Sequence, residues 1–247
     1  MSELSSWTRG AHTADGVSHD TYRKGAGPGV VVIHEIPGMT PDVIAFAQEV
    51  VDAGFTVVMP HLFGVPEAKM SVGSAMTTMA RLCVNKEFTK LALNQTTPVA
   101  TWLRSLAAQL HDELGGPGIG ALGMCFTGGY ALAMMVDDSV AAPVLCQPST
   151  PFPVGRARAA DVNLSTGDLA IVKRRAAAGC AVLGLRYRND PATGTRFDTL
   201  RSALGDKFMA LEFEGKGHST VTEHRQQVGV DRILAFFRER LALDSAT

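Results

Sequence analysis

The chain has 247 residues, 46% hydrophobic and 19% charged, which is enough apolar material for a sizeable core in one large α/β domain or two small ones. A formal net charge of −1 excludes the basic surplus that nucleic acid or an anionic membrane surface would demand. No apolar N-terminal segment and no long uncharged stretch is visible, so neither a signal peptide nor a membrane span is expected.

Apolar runs of strand length alternate with longer helical patterns. Val30-Val31-Val32-Ile33, bounded by Gly27-Pro28-Gly29 and Pro37-Gly38, reads as a buried strand. A helix follows from Pro41 to Ala53, with Thr40 as N-cap, Pro41 at its first position and Gly54 as its stop. Phe55-Thr56-Val57-Val58-Met59 is the next strand, ended by Pro60. Glu87 to Leu114 carries Leu91, Leu103, Leu106 and Leu110 at helical spacing, with Pro98 set to interrupt or kink it. Then come strand 118–124, helix 128–137, strand 140–146, helix 165–178, strand 180–187, helix 196–205, strand 207–213 and helix 225–243. The alternation predicts an α/β fold: a mostly parallel sheet with helices on both faces. With no internal repeat and no linker, residues 1–247 are expected to form one domain. Segments 60–86 and 147–164 have no regular pattern. Both leave carboxyl ends of strands, where parallel sheets hold ligands, and so they are candidate pocket walls.

The four cysteines lie far apart without metal-ligand spacing, as in a reduced, cytoplasmic protein. Cys83, Cys146 and Cys180 stand in apolar contexts and read as small buried hydrophobes. Cys125 differs. In Gly123-Met124-Cys125-Phe126-Thr127-Gly128-Gly129 it occupies the apex of a sharp strand-to-helix turn, where α/β-hydrolases carry a nucleophilic serine. The start of a helix favours a negative charge, so the turn that exposes this thiol also helps to ionise it.

A thiol nucleophile needs a base, and the base needs an acid to orient it. His218, in Glu214-Gly215-Lys216-Gly217-His218-Ser219, follows the strand 207–213 and so reaches the carboxyl edge of the sheet. Asp190, before Pro191, follows the strand 180–187 at the same edge, and Asp168 is the weaker alternative because it opens a helix. The chain order Cys125, Asp190, His218 is the nucleophile–acid–histidine order of α/β-hydrolases. Glu35 ends an apolar run at this edge, where a carboxylate can accept a thiol proton. The N–H groups of Ile36 and Phe126 are the expected oxyanion donors.

Together His34-Glu35-Ile36-Pro37-Gly38, the Cys125 elbow, Asp190-Pro191 and Gly217-His218-Ser219 resemble the dienelactone hydrolase family, a cysteine-nucleophile branch of the α/β-hydrolases. The resemblance implies an α/β-hydrolase fold and a Cys125–Asp190–His218 triad. It also implies that Glu35 interacts with the thiol in the resting enzyme and takes part in its activation. Dienelactone-cleaving members hold the substrate carboxylate with arginines, one of them four residues after the histidine. That position is Thr222 here, the nearest arginine is Arg225, and Arg81 lies in the region that supplies the other. The expected activity is hydrolysis of small esters or lactones through a thioester, without metal or cofactor, by a monomer or homodimer that binds neither nucleic acid nor membrane. The rivals are a general carboxylesterase, thioesterase or acyltransferase with the same triad, and a non-catalytic α/β-hydrolase scaffold with a binding role.

Overall fold

The structure, a computed structural model, describes residues 3–88 and 93–241, without the side chains of Val72, Cys83 and Val84. Leu91 and its neighbours in the expected helix 87–114, the last two residues of the expected helix 225–243, and the Cys83 side chain therefore lie outside the described residues.

Among the described residues eight strands make one sheet. They are β1 (Thr8–Ala14), β2 (Val17–Lys24), β3 (Gly29–Ile33), β4 (Thr56–Pro60), β5 (Ile119–Met124), β6 (Val140–Cys146), β7 (Val182–Tyr187) and β8 (Phe208–Phe213). Their order is β1-β2-β4-β3-β5-β6-β7-β8. From β4 to β8 every pairing is parallel, as expected, while β2 runs antiparallel to both β1 and β4. The β1–β2 hairpin at the edge is an addition to the sequence reading.

The helices are α1 (Pro41–Asp52), α2 (Val72–Val84), α3 (Val99–Leu114), α4 (Tyr130–Met134), α5 (Gly155–Ala160), α6 (Thr166–Ala177), α7 (Arg196–Leu204) and α8 (Gln227–Leu241). Alternate residues of β3 supply two cores. Val31 and Ile33 pack with Leu103 of α3 and Tyr130 of α4, whereas Val30 and Val32 pack with Phe46 of α1 and Phe236 and Phe237 of α8. Strand residues alternate between faces, so these are opposite layers. Each fully buried side chain of this kind contributes about 1.5–3 kcal/mol.

Three helices depart from the sequence reading, one of them α5, which forms inside segment 147–164. The described part of the expected 87–114 helix begins at Val99, with Pro98 as its N-cap and Glu87 and Phe88 in a turn. Proline starts the helix rather than kinking it, because it has no N–H to offer and disfavours helical backbone in the residue before it. Inside segment 60–86, α2 forms on a capping box in which the Ser71 hydroxyl accepts from Ser74 N–H at 3.1 Å. The expected N-cap of α1 is found: the Thr40 hydroxyl accepts from Val43 N–H at 3.4 Å. Among the described residues no helix is long and apolar enough to cross a membrane.

Candidate active site

β5 ends at Met124, and the chain turns through Cys125-Phe126-Thr127 into α4. Close approach demands the glycines here. A Cβ on Gly123 would lie 2.1 Å from the Thr127 carbonyl oxygen, and one on Gly128 would lie 2.6 Å from Pro148 Cα. Cys125 is half-buried with a φ of 55°, a left-handed conformation that costs a non-glycine residue about 1–3 kcal/mol. The buried Thr127 hydroxyl accepts from Met124 N–H at 3.1 Å and has the Ile33 and His34 carbonyl oxygens at 3.2 and 3.1 Å to donate to. The elbow is thereby tied to the end of β3, and Ile36 and Phe126 are carried on adjoining segments.

Asp190 follows β7 and His218 follows β8. His218 Nδ1–H donates to Asp190 Oδ2 at 2.7 Å, and Asp190 Oδ1 accepts from Ala192 N–H at 3.0 Å. With Nδ1 engaged by Asp190, Nε2 is the ring nitrogen left to meet Cys125. Burial opposes charge on the ring, but the hydrogen bonds and charges of Asp190 and Cys125 outweigh it and hold the His218 pKa well above the imidazole range. His218 thus stands between Asp190, to which it is hydrogen-bonded, and the Cys125 thiol, whose proximity raises its pKa. Asp168 is kept apart from it on α6, where it pairs with Arg104 at 2.8 Å.

Glu35 is 2% exposed. Its Oε2 accepts from the Ser219 hydroxyl at 2.8 Å and the Gln147 amide at 3.4 Å, and its Oε1 accepts from the Thr222 hydroxyl. Burial raises the Glu35 pKa, against the downward pull of Thr222, Ser219, His218 and Gln147. Among the described residues, then, the hydrogen bonds of Glu35 run to the His218 loop and Gln147, and the Cys125 thiol acts on His218. Thr222, noted in the sequence for the arginine it replaces, is a ligand of this carboxylate. Arg225 turns away to Glu49 on α1 at 2.7 Å.

Gln147 was not singled out in the sequence. It is fully buried after β6, and its Oε1 accepts from the Thr220 hydroxyl at 2.7 Å and Thr220 N–H at 3.2 Å. Its signal was available: a polar residue directly after an apolar strand, at the same edge as Asp190. Cys146 and Cys180 have thiols pushed up by burial.

Beside the elbow, segment 60–88 encloses a cavity of about 470 Å³ that reaches Pro37, and Arg81 stands exposed in its wall. The Phe63 ring meets Phe126 at 5.9 Å and Phe88 at 5.8 Å between centroids. His34 anchors this wall: its Nε2 accepts from Leu62 N–H at 3.1 Å, and its Nδ1 lies 3.1 Å from the Glu35 carbonyl oxygen. Burial lowers the His34 pKa to about 3, so the ring is neutral and Nδ1–H is the donor. Segment 60–86 thus lines a cavity next to the elbow. Segment 147–164 clasps the elbow instead, with Ser149 N–H donating to the Cys125 carbonyl at 2.9 Å and the Thr150 hydroxyl to the Phe126 carbonyl at 2.7 Å.

Solved structures share this architecture. A dienelactone hydrolase from Anabaena variabilis aligns with a TM-score of 0.66 at 14% identity, over 95% of this chain and 98% of that one. An alpha/beta hydrolase, GrgF, from a Penicillium species aligns with a TM-score of 0.65 at 14% identity, over 96% and 99%. A dienelactone hydrolase-like promiscuous phosphotriesterase from metagenomic libraries aligns with a TM-score of 0.62 at 16% identity, over 95% and 98%. At such identities the likeness is one of fold, and the fold is that of the α/β-hydrolases. A comparison with curated proteins gave no match. The family model for the dienelactone hydrolase family matches residues 18–164, more than half of the sequence, and the chain therefore belongs to the dienelactone hydrolase family.

Proposed function

We propose that the protein hydrolyses small esters or lactones with Cys125 as nucleophile, His218 as its acid and base, and Asp190 as the group that orients the ring. The observation that carries this reading is the 2.7 Å hydrogen bond that sets His218 against Asp190, with the elbow thiol acting on the same ring. The raised His218 pKa makes the imidazole a strong acceptor for the proton that the thiol gives up as it becomes the nucleophile. The thiolate attacks the carbonyl carbon and a C–S bond forms. The N–H groups of Ile36 and Phe126 receive the negative oxygen, a role in which each donor supplies about 3–4 kcal/mol of transition-state stabilisation. His218 then protonates the departing alkoxide as the C–O bond breaks. In the second half, water loses a proton to His218 and attacks the thioester, and the C–S bond breaks to restore the pair.

Glu35 acts here as a positioning residue. Its hydrogen bonds to Ser219 and Thr222 fall one and four residues after His218, so the carboxylate holds the loop that aims the ring. Substrate charge is read from what replaces the expected arginine. Thr222 is bound to Glu35 and Arg225 to Glu49, which favours a general esterase over an enzyme dedicated to lactones that bear a carboxylate. Arg81 is the cation left to bind such a group.

The deciding experiment is hydrolysis of p-nitrophenyl acetate by Cys125→Ala, which is expected to lose all turnover. Unchanged turnover ends the assignment. Esters and lactones with and without a carboxylate, assayed with wild type and Arg81→Ala, then decide between the two substrate readings.

A further inference from the structure

The cavity beside the elbow has about 470 Å³, and Pro37, Leu62, Phe63, Ala68, Leu82 and Phe88 are among its walls. Its polar wall residues are mostly satisfied within the protein. The Ser74 hydroxyl donates to the Ser71 carbonyl at 2.9 Å, Thr77 to Gly73 at 2.9 Å and Thr78 to Pro37 at 3.4 Å, while Asn85 Oδ1 accepts from Glu87 N–H at 2.9 Å. A ligand entering this space meets carbon and hydroxyls that have already spent their protons, with the exposed Arg81 as the charged member.

The position of the cavity decides which part of an ester it faces. Cys125 and Phe63 pack against the same apolar cluster as Leu62, Leu82 and Phe88, on the α3 and α4 face of the sheet. Val221, in the loop that carries His218, packs into the cluster of α1 and α8 on the other face. The cavity thus adjoins the elbow through Phe63, whose ring meets Phe126 at 5.9 Å, on the face opposite to the one where Val221 of the His218 loop packs. In the tetrahedral intermediate the leaving oxygen must face His218 to be protonated, and the carbonyl oxygen must face the N–H donors. The remaining substituent, the acyl chain, is directed to the cavity.

We propose that this cavity is an acyl-chain pocket and that the substrates are uncharged esters of apolar carboxylic acids with several carbons beyond the carbonyl. The proposal rests on Cys125 being the nucleophile. The test is kcat/KM for p-nitrophenyl acetate, butyrate, hexanoate and octanoate with wild type, Ala68→Trp and Thr77→Phe. In wild type kcat/KM is expected to rise about two- to fourfold per methylene, chiefly through KM. Both variants fill the cavity and should flatten that rise, with thermal unfolding as the control for folding; if one variant does not fold, the other decides. A wild-type profile that is flat or falls from acetate overturns the proposal, as does a rise that survives in a folded variant. Turnover of acetate by Cys125→Ala separates the two failures: if it is lost while the chain-length profile is flat, the nucleophile stands and only the pocket assignment falls.

Discussion

Replacing Glu35 by leucine and by glutamine separates what this buried carboxylate does for the fold from what it does for His218. Leucine leaves the Ser219 and Thr222 hydroxyls and the Gln147 amide facing carbon. The hydroxyls can rotate towards other acceptors, but the amide loses its acceptor, and an unsatisfied buried donor costs about 1–3 kcal/mol. With the lost hydroxyl bonds added, Glu35→Leu is expected to lose about 2–4 kcal/mol of stability. If the His218 loop relaxes by about 1 Å, kcat falls on the order of a hundredfold while KM changes less. Glutamine keeps the shape and most of the hydrogen bonds, so Glu35→Gln should retain kcat within about tenfold. The pH dependence gives an independent reading. Burial raises the folded-state pKa of Glu35 above the ordinary 4.5, so the folded protein takes up this proton before the unfolded chain does. Wild-type stability relative to Glu35→Gln therefore rises as pH falls through the folded pKa towards about 4.5, by at most about 1.4 kcal/mol per pH unit, and is level below. Urea unfolding between pH 4 and 8 measures this difference, and steady-state ester hydrolysis measures kcat. A Glu35→Leu protein with wild-type kcat and unfolding midpoint refutes the positioning role. A wild type that loses stability relative to Glu35→Gln on acidification refutes the electrostatics.

Asp190→Asn is expected to lower kcat by about 10³–10⁴, because an amide that donates to Nδ1 leaves the ring in the wrong tautomer. Alkylation of Cys125 by iodoacetamide should then require higher pH, and an unshifted profile argues against His218 as the acceptor of the thiol proton. Gly123→Ala forces a Cβ into the Thr127 carbonyl, so a loss of more than about 3 kcal/mol in stability is expected, and a soluble variant with a native midpoint would contradict the described elbow. His34→Phe leaves Leu62 N–H without its acceptor, at a cost of about 1–3 kcal/mol; KM for long-chain esters should rise more than KM for acetate.

The elbow was legible because its demands are local. Gly123 and Gly128, two residues before and three after Cys125, mark a sharp turn from sequence alone. Strand β6 has the bounds its apolar run predicts, and α1 has the expected cap. What escaped reading depends on partners far along the chain. Gln147 is 112 residues from Glu35, and Thr222 is 187, and nothing local marks either as a ligand of that carboxylate. The β1–β2 hairpin was missed because it is mostly polar: β1 has His12 as its one buried residue, so the apolar alternation that announces a strand is absent. Helix α2 was missed although its sequence is largely apolar, because small residues and threonines are interspersed through it, and α3 was drawn too long because helical spacing continues across a proline that in fact begins it.

The division of the site between two layers sets how readily it can change. The cavity wall from His61 to Phe88 lies on one side of the sheet, while the Ser219–Thr222 segment and its partners lie towards the other. Insertions, deletions or wholesale exchange of the first can retune which molecules fit without disturbing the spacing of Cys125, His218 and Asp190. Both sides hang on the end of β3, where His34 holds Leu62 and Glu35 holds Ser219 and Thr222, and the Thr127 hydroxyl ties that end to the elbow. A library confined to residues 61–88 would therefore explore new specificities on an unaltered catalytic chassis, whereas variation at Thr127 would unsettle every member at once.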